Sequence, residues 1–295
     1  MLQKSEEALH SLSIGEFEKA KSLYSVLLDK DPDDLDHISG YFIASFWDNR
    51  LDLVLRTREG KERGKLLLNY FSDFEIESKK RQYHKTQAYY SCQKCILEEA
   101  SEHLKLAYRW EGANALDFDS LADLAICLVK VGDFKSALEV FPLSLAQSRM
   151  PTQLRFFLAE ALCMTGRDRE GRDLYMRAFL EEPDLFPWES VRFLPLQQQL
   201  QNAQTLLSEP EAFSWFAVLL WQEGFFSNGL PAVYPEVEQW AKEMQRMHEA
   251  NLRGSHNPKK VKARLLFYAY LIKEKAPGNE FREALALAKT ILAEV

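Results

Sequence analysis

Small and bulky residues recur in one order in two stretches of the chain, Ala125–Leu128–Gly132–Phe134–Ala137–Phe141 and Ala159–Leu162–Gly166–Asp168–Gly171–Tyr175, at an offset of 34 residues. Within the second stretch, Arg155, Leu158, Ala159 and Leu162 share one helical face by their three- and four-residue spacing. Gly166 ends that helix. Gly171, Tyr175 and Ala178 line the facing stripe of a second helix, and Pro183 follows its end. Each unit therefore predicts a helix, a Gly-containing turn, a second helix and a loop. The small residues Ala159 and Gly171 would let the two backbones approach closely, with Leu162 and Tyr175 filling the space beside them. A fixed period of this size marks stacked helical hairpins that bury their apolar faces against their neighbours.

Gly166, Gly171, Tyr175, Ala178 and Pro183 stand where the signature residues of the tetratricopeptide repeat (TPR) fall, and the chain resembles that family. Ala8, Gly15, Phe17, Ala20, Tyr24 and Pro32 repeat the same mutual spacings, with 17 residues from Gly to Pro in both units. Glu18–Lys21 resembles the family's second-helix opening and Asp31–Asp34 its inter-repeat loop. Two degenerate units lie between. One keeps the twelve-residue gap between small residues as Ala88 and Ala100, followed by Leu104 and Ala107. The other, residues 36–77, is interrupted: with Ala44 and Gly64 as its small pair, the gap is twenty. Its surplus near Leu53 to Lys65 implies either a lengthened helix pair or a mobile loop. The resemblance covers about five units over residues 1–183 and implies an all-α fold, a right-handed α-α superhelix.

Residues 184–295 predict degenerate helical hairpins that continue or cap the solenoid. Helices are expected at about 211–222, 236–252, 260–275 and 279–294, with turns at Asn228-Gly229 and Pro277-Gly278-Asn279. The aromatics Trp188, Trp215, Phe216, Trp221, Phe225, Phe226, Tyr234 and Trp240 predict a thick core, or an interface if some are exposed.

Composition agrees with helix throughout. Only 12 Gly and 11 Pro occur in 295 residues, and no run alternates with period two long enough for a sheet. A net charge of −7 argues against a nucleic-acid footprint; local basic clusters lie at 56–65, 79–81 and 259–264, the first interleaved with Glu59 and Glu62 as solvated helix faces and loops are. The start lacks a secretory signal's apolar core, and no segment is long enough to span a bilayer, so a cytoplasmic protein is expected.

By the resemblance, the first helices of successive units line a concave groove that holds a peptide or partner helix. Its residues would be Tyr41, Asp48 and Asn49, then Lys85, Tyr89 and Gln93, then Ile126 and Lys130, and finally Phe156, Glu160 and Met164. Ile126, Phe156 and Met164 would give an apolar floor. Tyr89 stands where a carboxylate clamp of the family would need Asn. Cys92-x-x-Cys95 has metal or redox spacing but no second pair or His doublet beside it, and the cysteines at 92, 95, 127 and 163 read as small reduced core residues. No catalytic or phosphate-binding motif is present. The expected function is a non-catalytic protein–protein interaction scaffold without cofactor or metal. Its alternatives are self-assembly into a homo-oligomer through the aromatic C-terminal third, or a small-molecule-binding or enzymatic helical protein.

Overall fold

The computed structural model describes residues 2–112, 116–145, 150–206, 209–226, 234–254, 258–276 and 280–294. Every regular element among them is helical, and the chain divides into two compact units, Met1–Ser148 and Arg149–Val295. The first holds α1 (Leu2–Ser13), α2 (Phe17–Leu28), α3 (Leu35–Arg56), α4 (Lys61–Lys80), α5 (Gln87–Glu111), α6 (Phe118–Val131) and α7 (Phe134–Leu145). The second holds α8 (Thr152–Met164), α9 (Asp168–Glu181), α10 (Leu194–Leu206), α11 (Glu209–Gln222), α12 (Val237–Leu252), α13 (Pro258–Lys275) and α14 (Arg282–Ala293). Single 3-10 turns lie at Pro183–Leu185 and Trp188–Ser190. The decay of the repeat signature after residue 183 thus falls inside the second unit rather than at its boundary.

Three hairpins, α1–α2, α6–α7 and α8–α9, sit where the spacing predicts, and their turns are the same structure. Gly15, Gly132 and Gly166 all have positive φ, at 79°, 92° and 83°. In each turn the glycine N–H bonds back to the carbonyl three residues earlier (Leu12, Val129, Cys163). The next N–H bonds five residues back, Glu16 to Ser11, Asp133 to Leu128 and Arg167 to Leu162. This is the Schellman arrangement, which satisfies the last carbonyls of a helix and demands a residue tolerant of the left-handed region. Close backbone approach in α8–α9 is also as expected. A Cβ on Gly171 would lie 2.4 Å from the Cys163 sulfur and 2.8 Å from the Ala159 carbonyl oxygen.

The middle of the first unit departs from the expected pattern. Ala88, Ala100, Leu104 and Ala107 are all buried, but on one 25-residue helix, α5, rather than on a hairpin. Between Gln87 and Glu111 no Gly or Pro interrupts a run of good helix formers, so nothing turns the chain. The interrupted unit is the lengthened helix pair. α3 and α4 run 22 and 20 residues, joined by a turn over 57–60. Arg63 clamps that turn, donating to the Thr57 carbonyl from Nε (3.0 Å) and Nη2 (2.8 Å) and to the Leu55 carbonyl (3.0 Å). Gly64 lets α4 approach α5 rather than α3: a Cβ there would meet Leu104 at 3.0 Å and the Ala100 carbonyl at 3.2 Å.

α5 is the centre of the first unit, packing against α1, α3, α4 and α6. Rings carry the core across it. Trp47 of α3 meets Phe74 of α4 edge-on at 5.7 Å, and Phe74 stacks on Tyr89 of α5 at 5.2 Å. In the second unit, α13 packs against α9, α11, α12 and α14. The expected thick aromatic core forms there, with Phe216, Phe225, Phe226, Tyr234 and Trp240 all buried. The expected helices of this third match α11 to α14 within three residues; the turns at 228–229 and 277–279 lie outside the described residues.

Gly171→Ala should lower stability by about 2 kcal/mol, because the obstruction includes backbone and cannot rotate away. Urea denaturation of the variant measures this; a loss below about 0.5 kcal/mol would show that the two backbones are farther apart.

Candidate functional site

The eleven groove residues scatter. Tyr41 and Asp48 of α3 line a shallow hollow against Glu18, Lys21, Ser22 and Ser25 of α2, where Lys21 Nζ reaches Asp48 at 3.0 Å. Asn49 and Lys85 are exposed, and Gln93 and Ile126 half-buried. Tyr89 and Lys130 do converge, both on Glu75 of α4: the phenol donates at 3.5 Å and the ammonium at 3.4 Å. Tyr89 itself is buried, held by its stack on Phe74, so it is core rather than groove surface.

In the second unit Phe156 and Glu160 are buried as well, and of the three only Met164 is exposed. The face of α8 that was to be open is covered by the chain's own residues 186–193. Phe186 seats its ring against Phe156 at 5.2 Å, Tyr175 at 6.1 Å and Phe179 at 5.0 Å. Glu160 fixes the same segment. Its carboxylate accepts the backbone N–H of Arg192 at 2.5 Å and of Phe193 at 2.8 Å, and the Tyr175 hydroxyl donates to its other oxygen. Burial pushes this carboxyl up from its ordinary range, against the three hydrogen bonds that pull it down. A single acid thus replaces a partner with a strap of its own chain.

Two further hollows lie among the described residues of the first unit. The smaller, about 220 Å³, opens where the α1–α2 turn meets α3, α4 and α5 and is lined by Phe17, Trp47 and Ile96. Ile14 and Leu55 stand exposed at its rim, and Cys95 lines its wall. The larger, about 280 Å³, lies between α5, α6 and α7. Leu121, Leu124 and Leu128 form its floor, one stripe of α6 at three- and four-residue spacing. Lys105, Tyr108 and Arg109 of α5 make one wall, and Ser136, Glu139 and Val140 of α7 the other. Beside it the last turns of α5 expose Tyr108 at 38 % and Trp110 at 63 %. None of these three aromatic and basic wall residues belongs to the expected groove. Lys105, Tyr108 and Arg109 lie on a helix whose repeat register the sequence misplaces, although Lys105 and Arg109 at i and i+4 are a visible pair.

Cys92 and Cys95 sit one turn apart on α5 and are unbonded, as are Cys127 and Cys163. Burial pushes the Cys95 thiol up to about 11 and the Cys127 and Cys163 thiols up to about 12, the direction of a protonated, weakly nucleophilic group. Among the described residues no group of three His, Cys, Asp or Glu side chains could hold a metal ion, and no helix is long and apolar enough to cross a membrane. No family model matches the chain, and neither a curated protein nor a solved structure is similar to it.

Glu160→Ala removes the acceptor from the buried Phe193 N–H, the part-buried Arg192 N–H and the buried Tyr175 hydroxyl, and should cost on the order of 3 kcal/mol while speeding limited proteolysis at 187–193. Unchanged proteolysis would show that the ring contacts alone hold the strap. A raised folded carboxyl favours the proton-bound native state. The contribution of Glu160 to stability is therefore full below the unfolded carboxyl range and is lost as pH rises through the folded value. Denaturation of wild type and Glu160→Gln between pH 4 and 8 should show that fall in the wild type alone.

Proposed function

We propose that the chain is a non-catalytic interaction scaffold, built as a TPR-like right-handed superhelix of helix pairs and binding another protein. The observation that carries the proposal is the hollow between α5, α6 and α7, floored by the buried leucines of α6 and lying beside exposed Tyr108, Arg109 and Trp110. Tyr, Trp and Arg are the residue types that anchor protein interfaces, because they bring large rigid contact area with a polar handle. An apolar floor between two polar walls suits the apolar face of a partner segment. The three equivalent Schellman turns support the repeat architecture, since equal turns give successive hairpins equal geometry. The binding face differs from the family's usual groove: in the second unit that face is filled by residues 186–193, and in the first α5 packs back on α1.

Self-assembly through the aromatic third has less to work with. Phe216, Phe225, Phe226, Tyr234 and Trp240 are in the core, which leaves few large rings for a second copy to meet among the described residues.

Affinity capture with the tagged full chain, compared with Tyr108→Ala/Trp110→Ala, tests the proposal. Both side chains are exposed, so folding should survive within about 0.5 kcal/mol while captured partners are lost. Identical partner sets from the folded variant would remove the hollow as the binding site.

A further inference from the structure

We propose that the α5–α6–α7 hollow selects a partner segment carrying one bulky apolar residue flanked by opposite charges, its acid toward α5 and its base toward α7. The inference rests on the scaffold function and specifies the chemistry of the partner at that same site.

Size comes first. At about 280 Å³ the hollow is just below the range of about 300–1,000 Å³ typical of small-molecule and cofactor sites. Such a space admits a leucine- or phenylalanine-sized side chain. Leu121, Leu124 and Leu128 present only methyl groups to it, so an apolar anchor loses nothing by entering.

The walls then differ in charge. On α5, Lys105 is already engaged, at 2.9 Å from Glu102 and 3.7 Å from Asp133. Arg109, one turn further on, makes no hydrogen bond or ion pair among the described residues and projects at the rim. Across the hollow, Glu139 of α7 is likewise without an ion pair among them, with the Ser136 hydroxyl one turn before it. A segment that inserts a side chain into the hollow must pass between these two charges and strip part of their water. An uncharged segment would leave both less solvated and uncompensated. A segment with acid on one flank and base on the other replaces that water with two ion pairs. The same polarity fixes the direction in which the segment lies, since reversed placement would set like charges together at both walls.

Magnitudes divide the work. A buried leucine-sized anchor is worth about 1.5–3 kcal/mol, whereas rim ion pairs are worth about 0.2–1 kcal/mol each. The anchor supplies affinity and the charges supply choice.

The experiment is selection of displayed random peptides on the immobilised full chain, followed by affinity measurement for the enriched peptides. Enriched sequences should carry a Leu-, Met- or Phe-type residue with Asp or Glu on one flank and Lys or Arg on the other. Arg109→Glu should weaken them about fivefold, and a peptide with its acid changed to Lys should recover that loss; raising the salt should shrink both effects. Glu139→Lys should act the same way on the basic flank. Enriched peptides without charged flanks, or charge reversals that change affinity less than twofold, overturn the inference. If such peptides still lose binding with Tyr108→Ala/Trp110→Ala, the scaffold function stands and only the charge selection falls. If no enriched peptide depends on those two residues, both fall. Circular dichroism of each variant confirms the fold, which substitutions at an exposed rim leave intact.

Discussion

A hairpin of two helices about a dozen residues long buries one face of each helix against its own partner and leaves another apolar face that something else must cover. Everything distinctive about this protein follows from how that second face is covered. In the first unit the cover is α5, a 25-residue helix that reaches α1, α3, α4 and α6 and is keyed to α3 and α4 by the Trp47–Phe74–Tyr89 ring series. In the second the cover is a short strap, pinned by the Phe186 ring and the Glu160 carboxylate. The α6 stripe of Leu121, Leu124 and Leu128 is buried as well, but a hollow lies over it between the walls that α5 and α7 supply.

The two covers differ in chemistry, and the difference has consequences. Ring packing onto α5 is insensitive to pH and salt. The strap depends in part on an acid taken out of water, whose desolvation opposes the hydrogen bonds it makes. Each N–H it accepts from Arg192 and Phe193 is a backbone donor that a non-helical segment could not otherwise satisfy in that setting. Glu160 is therefore spent on its own chain, and an incoming peptide would have to displace an already matched one.

Much of the fold was legible in the chain because turn chemistry is local. Gly15, Gly132 and Gly166 each end a helix in a conformation that only a residue without Cβ adopts readily, and the spacing to the next small residue fixed the hairpin. The register of α5 was not legible, because Ala88 and Ala100 mimic the small pair of a hairpin while nothing between them breaks the helix. Long-range pairings were invisible for a different reason. Glu160 bonds to main-chain atoms 32 and 33 residues away, and backbone donors leave no residue-type signature. The groove residues Tyr89, Phe156 and Glu160 were assigned to surface because the family's open face was assumed, whereas their burial is decided by which other segment lies over them. Leu121, Leu124 and Leu128 could be read as an apolar stripe, but not as one with space above it.

Methyl-labelled leucine spectra, recorded while a selected peptide is titrated into the full chain, test the covering principle most directly. The methyls of Leu121, Leu124 and Leu128 should shift, while those of Leu180 and Leu196, in the core cluster that holds Phe156 and Phe186, stay in place. Shifts concentrated in that cluster, or none on α6, would show that the hollow is not the binding site.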